Sequence, residues 1–184
     1  MKKNQKGFSL IELLIVVAII LIIAAIAIPN LLRAKIAANQ AGAVGTLRTI
    51  SSSEETYSSV YNDGFTPSLG TLGGPAGGVA SCAQGELIDE VLSTGGAGGP
   101  AGKSGYTFTM GAGDGVAIGP GPAPGVCPAV GLTGFSVTAI PITLNSTGNA
   151  AYCIDETGVV RIDVNGVGGG MLAGCAQSLF PPLQ

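Results

Sequence analysis

A chain of 184 residues is long enough for one domain with its own core, or a compact domain plus an anchoring element, and too short for two full-sized domains. Charged side chains make up 10% of it, against about 25% in ordinary soluble proteins, and 31 glycines depart further from a typical enzyme composition. The absence of histidine excludes histidine-dependent catalysis and the commonest zinc ligand, and a formal charge of −3 gives no basic footprint for nucleic-acid phosphates.

From the N-terminus, Lys2, Lys3 and Lys6 precede Leu13–Ile28, 16 residues without one charged or strongly polar side chain. Basic residues stay on the cytoplasmic side of a membrane, so insertion is expected with the N-terminus inside and the rest of the chain outside. As an α-helix, the 21 residues 8–28 span ~31 Å, which matches a hydrocarbon core of ~30 Å. A conventional cleaved signal has the same order of charge and apolarity, with Ala25-Ile26-Ala27 as its exit. That alternative makes the product a secreted binding domain cut after Ala27. Glu12 argues against it: an ionisable group in hydrocarbon costs roughly 2.5–3.5 kcal/mol at mid-bilayer, so a carboxylate kept there implies a partner.

The run Lys6-Gly7-Phe8-Ser9-Leu10-Ile11-Glu12-Leu13 resembles the processing site of the type IV pilin and pseudopilin superfamily. The resemblance implies a prepilin peptidase that cuts between Gly7 and Phe8 on the cytoplasmic face, and methylation of the new N-terminus at Phe8. It implies that Glu12 neutralises the Phe8 amine of a neighbouring subunit during assembly of a homo-oligomeric helical filament. An inner-membrane assembly platform and ATP-driven machinery come with it. The spacing agrees, because residues four apart share one helical face and an axial shift between copies brings amine and carboxylate together. Loss of the leader, residues 1–7, takes the basic side chains from 8 to 5 against 11 acidic ones, a formal −6.

Beyond the apolar span, Leu32, Ile36, Ala43, Leu47 and Ile50, extended by Tyr57 and Tyr61, recur near multiples of 3.6. One helix from Phe8 to about Ser59 is expected, ~78 Å long, apolar all round over residues 8–29 and amphipathic over 30–61. Pro29 lacks an N–H and crowds the preceding turn, which predicts a kink or local melting there, or the end of a single-span anchor. The family carries a proline at this place.

Residues 62–184 form the expected globular head. Gly64–Gly134 reads as loop, with Gly73-Gly74-Pro75-Ala76-Gly77 nearly repeated as Gly98-Gly99-Pro100-Ala101-Gly102. Within it, Glu86–Leu92 has the spacing of a short surface helix. Tyr106, Phe108 and Met110 alternate with threonines, and Phe135, Val137 and Ala139 with Ser136 and Thr138, which predicts two half-buried strands. Ala150–Ile154 and Val159–Val164 flank Asp155-Glu156-Thr157-Gly158, a hairpin-turn sequence. The sum is an α+β fold: a long N-terminal helix whose second half packs on an antiparallel four-stranded sheet. This is the order of elements of the type IV pilin fold, and Tyr152–Arg161 resembles a hairpin of its bacterial members.

Other patterns carry less. Ala97–Ser104 fits a relaxed phosphate-binding loop, but a polar stretch precedes it, a strand follows, and Pro100 removes a backbone donor, so no nucleotide site is expected. Cys82, Cys127, Cys153 and Cys175 lack zinc-knuckle spacing and favour disulfides outside the inner membrane. Of three pairings, Cys82 with Cys127 and Cys153 with Cys175 is preferred, since the latter clips the last segment onto the terminal hairpin. Asn145-Ser146-Thr147 is a glycan acceptor pattern that chance also produces. Asp155, Glu156 and Asp163 read as a solvated turn rather than a calcium site, and Tyr57 and Tyr61 as packing residues. The expectation is a non-enzymatic filament subunit without cofactor or metal, membrane-anchored first and then extracellular. A pseudopilin of a type II secretion system or a minor pilin is the alternative within the same class.

Overall fold

The computed structural model describes residues 9–74, 77–94, 101–113, 115–116, 131–168, 175 and 181–183. Gly7, Phe8, Cys127 and most of the second glycine near-repeat lie outside them. The chain divides into two units, Met1–Lys35 and Ile36–Gln184.

Helix α1 runs Leu10–Tyr61 through 52 residues. It stays helical through Pro29, so the helix does not end there, and no melted stretch interrupts it. Straight-chain and branched aliphatic residues keep the ladder intact, and Pro29 removes one N–H to the carbonyl four residues earlier. In the first unit its aliphatic side chains, Leu10 to Leu32, are exposed.

In the second unit, α1 contributes Ala43, Leu47, Ile50 and Tyr57 to the core, all 0–1% exposed. Helix α2, Leu69–Gly73, begins at Ser68, whose hydroxyl accepts the Thr71 N–H. Helix α3, Glu90–Thr94, starts four residues later than the spacing of Glu86–Leu92 predicts. Glu86 sits at φ 54°, outside helical geometry, and Asp89 caps the turn by accepting the Leu92 N–H at 3.1 Å.

The sheet has five strands in meander order, all antiparallel: β1 Ala101–Lys103, β2 Tyr106–Gly111, β3 Ser136–Pro141, β4 Ala151–Asp155 and β5 Arg161–Asp163. β1 is a fifth strand that the glycine-rich composition concealed. The register pairs Phe108 with Ala139 and Val137 with Ile154, which puts these side chains on the face shared with Leu47 and Ile50. Pro181–Leu183 line the outer edge of β5, with Ile162 N–H on the Pro181 carbonyl and Leu183 N–H on that of Val160.

β3 departs from half-burial: Ser136 and Thr138 are as buried as Val137 and Ala139. A disulfide joins Cys153 of β4 to Cys175, and these two form a second apolar cluster with Ala151 against Ile140. That cluster lies on the face opposite the α1 core, beside Thr138, whose register partner is Cys153. The 155–158 turn also differs from expectation. Asp155 is buried and accepts the Thr157 N–H at 3.0 Å, and Asp163 accepts N–H groups of Asn165 and Gly168 at 2.9 and 3.1 Å. These aspartates are backbone-organising groups instead of solvated surface charges. Asn145, at φ 63°, lies in an exposed turn.

Candidate functional site

The described chain begins at the first turn of α1. Ser9 precedes the helix and Glu12 reaches back to accept the Ser9 N–H at 2.9 Å. Ser-x-x-Glu with this bond is half of a capping box: it satisfies an otherwise orphaned donor, and the carboxylate meets the positive end of the helix. The signal was present in Ser9-Leu10-Ile11-Glu12 but is overshadowed by the charge-in-hydrocarbon reading. Both readings concern one exposed carboxylate. Phe8, its expected partner residue, lies outside the described residues.

From this cap, Leu10, Leu13, Leu14, Val17, Ala18 and Leu21 form one continuous apolar stripe. The spacing of three and four places all six on one helical face. The rest of the circumference is apolar as well: Ile11, Ile15, Ile19 and Ile22 are each more than half exposed. An aliphatic helix with no polar face cannot remain in water, and α1 is long and apolar enough to cross a membrane. The first charges after it, Arg33 and Lys35, are exposed.

In the head, Tyr57 packs against Tyr61, with ring centroids 4.8 Å apart, and its hydroxyl donates to the Cys82 carbonyl at 2.5 Å. Burial, then the nearby Asp63, Glu54 and Tyr61, push that hydroxyl up to about 12, so it stays protonated. Tyr57→Phe is expected to cost about 1–3 kcal/mol, because it strands a buried carbonyl, read as a lower urea midpoint with unchanged slope. Cys82 is disulfide-bonded and buried. Glu54 is the residue that sequence reasoning passed over. It occupies the apolar stripe four residues after Ile50 and three before Tyr57, and is fully buried.

The remaining motifs organise structure. Lys103, the lysine of the phosphate-loop pattern, lies in β1 and pairs with Asp89. Among the described residues, no group of three or more Cys, Asp or Glu side chains is placed to hold a metal ion.

Residues 2–28 match the family model of the prokaryotic N-terminal methylation motif. The chain is 44% identical over 70 residues to the type IV wide pilus major component PilA4 of Thermus thermophilus, which covers 38% of this chain and 53% of that protein. It is 40% identical over 75 residues to the type IV major pilin protein PilA of Myxococcus xanthus, covering 36% of this chain and 34% of that one. The chain thus spans about half and a third of the lengths of these relatives. No solved structure matches it. A long apolar N-terminal helix followed by an antiparallel sheet, opened by a methylation motif, is consistent with the α+β type IV pilin fold. The motif and the similarity to two pilins support the type IV pilin superfamily for this chain.

Proposed function

We propose that this protein is the structural subunit of a type IV pilus or related filament, cut after Gly7, N-methylated at Phe8 and polymerised through its N-terminal helix. The observation that carries this reading is the helix itself: an uncharged run from Leu13 to Ile28, exposed on every side, with one carboxylate at its cap. In lipid it serves as anchor, and among copies of itself as a packing surface, because apolar contacts with lipid and with protein are nearly equivalent. Close packing and charge pairing then decide between the two.

In this reading Glu12 of one subunit meets the Phe8 amine of the next, and Pro29 supplies the weak point where the helix bends. Cys82 pairs with Cys127, and each subunit passes from a single-span inner-membrane state to an extracellular filament. Prepilin peptidase and an inner-membrane assembly platform are its partners. Contacts between subunits are heterologous and do not close. Both named relatives are pilus components, which favours a pilus over a secretion pseudopilus. The methylation-motif match over residues 2–28 speaks against a conventional signal cut after Ala27.

Intact mass of the product tests the reading. The wild-type chain is expected to yield a methylated Phe8 N-terminus, and Gly7→Val to leave full-length chain in the inner membrane. A mature N-terminus at Ile28 would show that the helix is only a signal.

A further inference from the structure

Glu54 is a carboxyl fully buried on the core face of α1, and both of its oxygens meet one residue. The Thr66 N–H donates to Oε2 at 2.8 Å, and the Thr66 hydroxyl lies against Oε1. Thr66 belongs to the stretch 62–68 that joins α1 to α2. This stretch includes two residues in left-handed geometry, Asn62 and Gly64, at φ 52° and 76°. It also holds Phe65, whose ring packs edge-on to Phe135 at 5.0 Å.

The hydroxyl of Thr66 has a single proton and two oxygen acceptors to serve, since the Ser68 carbonyl lies 3.2 Å from it. A neutral Glu54 resolves the conflict. Its O–H donates to Thr66 Oγ1, the Thr66 hydroxyl donates to Ser68, and the Thr66 N–H donates to the other carboxyl oxygen. Ionised, Glu54 accepts the hydroxyl's hydrogen bond, leaves the Ser68 carbonyl short of that donor, and holds a charge in the core with two neutral donors against it.

We propose that Glu54 is a proton-operated latch: neutral, it fastens the 62–68 connection to α1, and ionised, it loosens that connection. Tyr57 on α1 lies within electrostatic reach of both Glu54 and Asp63, the latter on the connection. Asp63 is itself buried, with neither carboxylate oxygen hydrogen-bonded. β2 offers Met110, whose sulfur lies 3.9 Å from the Thr66 hydroxyl. The causes acting on Glu54 are burial and Thr66, none of them basic. Burial raises its carboxyl from 4.5 to about 7, against the opposing pull of the Thr66 hydrogen bonds.

The direction follows by linkage. The fastened state holds its proton up to about pH 7, whereas the loosened, solvated state releases it above 4.5. The latch is strongest below 4.5, weakens up to ~10-fold per pH unit as pH rises towards 7, and is flat above that, a total on the order of 100-fold.

Hydrogen exchange of the full chain in detergent micelles, corrected for intrinsic exchange rates, reads this at the Thr66 amide. Protection in the wild type is expected to fall across that window. Glu54→Gln, whose amide can still donate to Thr66 Oγ1 and accept its N–H, is expected to remove the pH dependence and keep the protection. Wild-type protection independent of pH overturns the proposal. So does a Glu54→Gln chain that keeps the dependence, and in that case Asp63→Asn abolishing it would assign the effect to Asp63. Should Glu54→Gln not fold, the Glu54 carboxyl carbon resonance of the wild type decides: titration near the ordinary 4.5 also overturns it.

Discussion

Replacing Glu12 by valine is expected to leave membrane insertion and processing at Gly7–Phe8 intact, and to reduce sheared filament to background. Breaking a buried ion pair by deleting one partner costs about 3–5 kcal/mol, because the other charge stays in the low-dielectric interior. Per subunit added, this is a factor on the order of 100 or more in the association constant. The valine also deletes the bond to the Ser9 N–H, a capping loss of only about 0.5–2 kcal/mol. Glu12→Gln separates the two effects, since a glutamine oxygen accepts that N–H without a charge. If the glutamine variant yields filaments at the wild-type level, capping suffices and charge pairing is wrong. If it fails as the valine does, the charge is what assembly needs.

The second large effect lies in the head. Phe108 is 1% exposed, sits at the centre of β2 between Ala101 and Ala139, and shares a core with Leu47 and Ile50. Phe108→Ala is expected to cost about 3–5 kcal/mol, the lost transfer energy plus the cavity left behind. Against a total of about 5–15 kcal/mol for an ordinary domain, that consumes a large part of the margin. Urea unfolding and limited proteolysis of the head should both register it, whereas Val164→Ala, at a site 72% exposed, should stay within about 0.5 kcal/mol. A Phe108→Ala head with an unchanged midpoint would mean that the sheet and α1 do not share one core.

The parts of this fold written in local periodicity could be read directly from the chain. The apolar run and the stripe Ala43, Leu47, Ile50 and Tyr57 predict one helix, and it extends to Tyr61. Alternation in Tyr106–Met110 predicts β2, and the Asp155–Gly158 turn predicts the β4–β5 hairpin; both are present. What escaped depends on long-range contacts. β1 has only Ala-Gly-Lys, and its strand character comes from pairing with β2. Thr138 stands opposite Cys153, which a disulfide ties to a cysteine far along the chain. Glu54 escaped for a different reason: a carboxylate on a core face contradicts the ordinary rule of burial, and its place becomes intelligible only once Thr66 lies beside it. At the N-terminus the reverse holds, since Gly7, Phe8 and Glu12 were legible as a motif without any fold.

Sheet proteins risk zipping together through unpaired margins. Here Pro181–Leu183 satisfy backbone groups along β5 with their own, and a proline at two of those three positions offers no further N–H to a newcomer. Strand addition along that border is therefore blocked by the chain itself. Adhesion of one copy to another is thereby steered away from this border of the sheet.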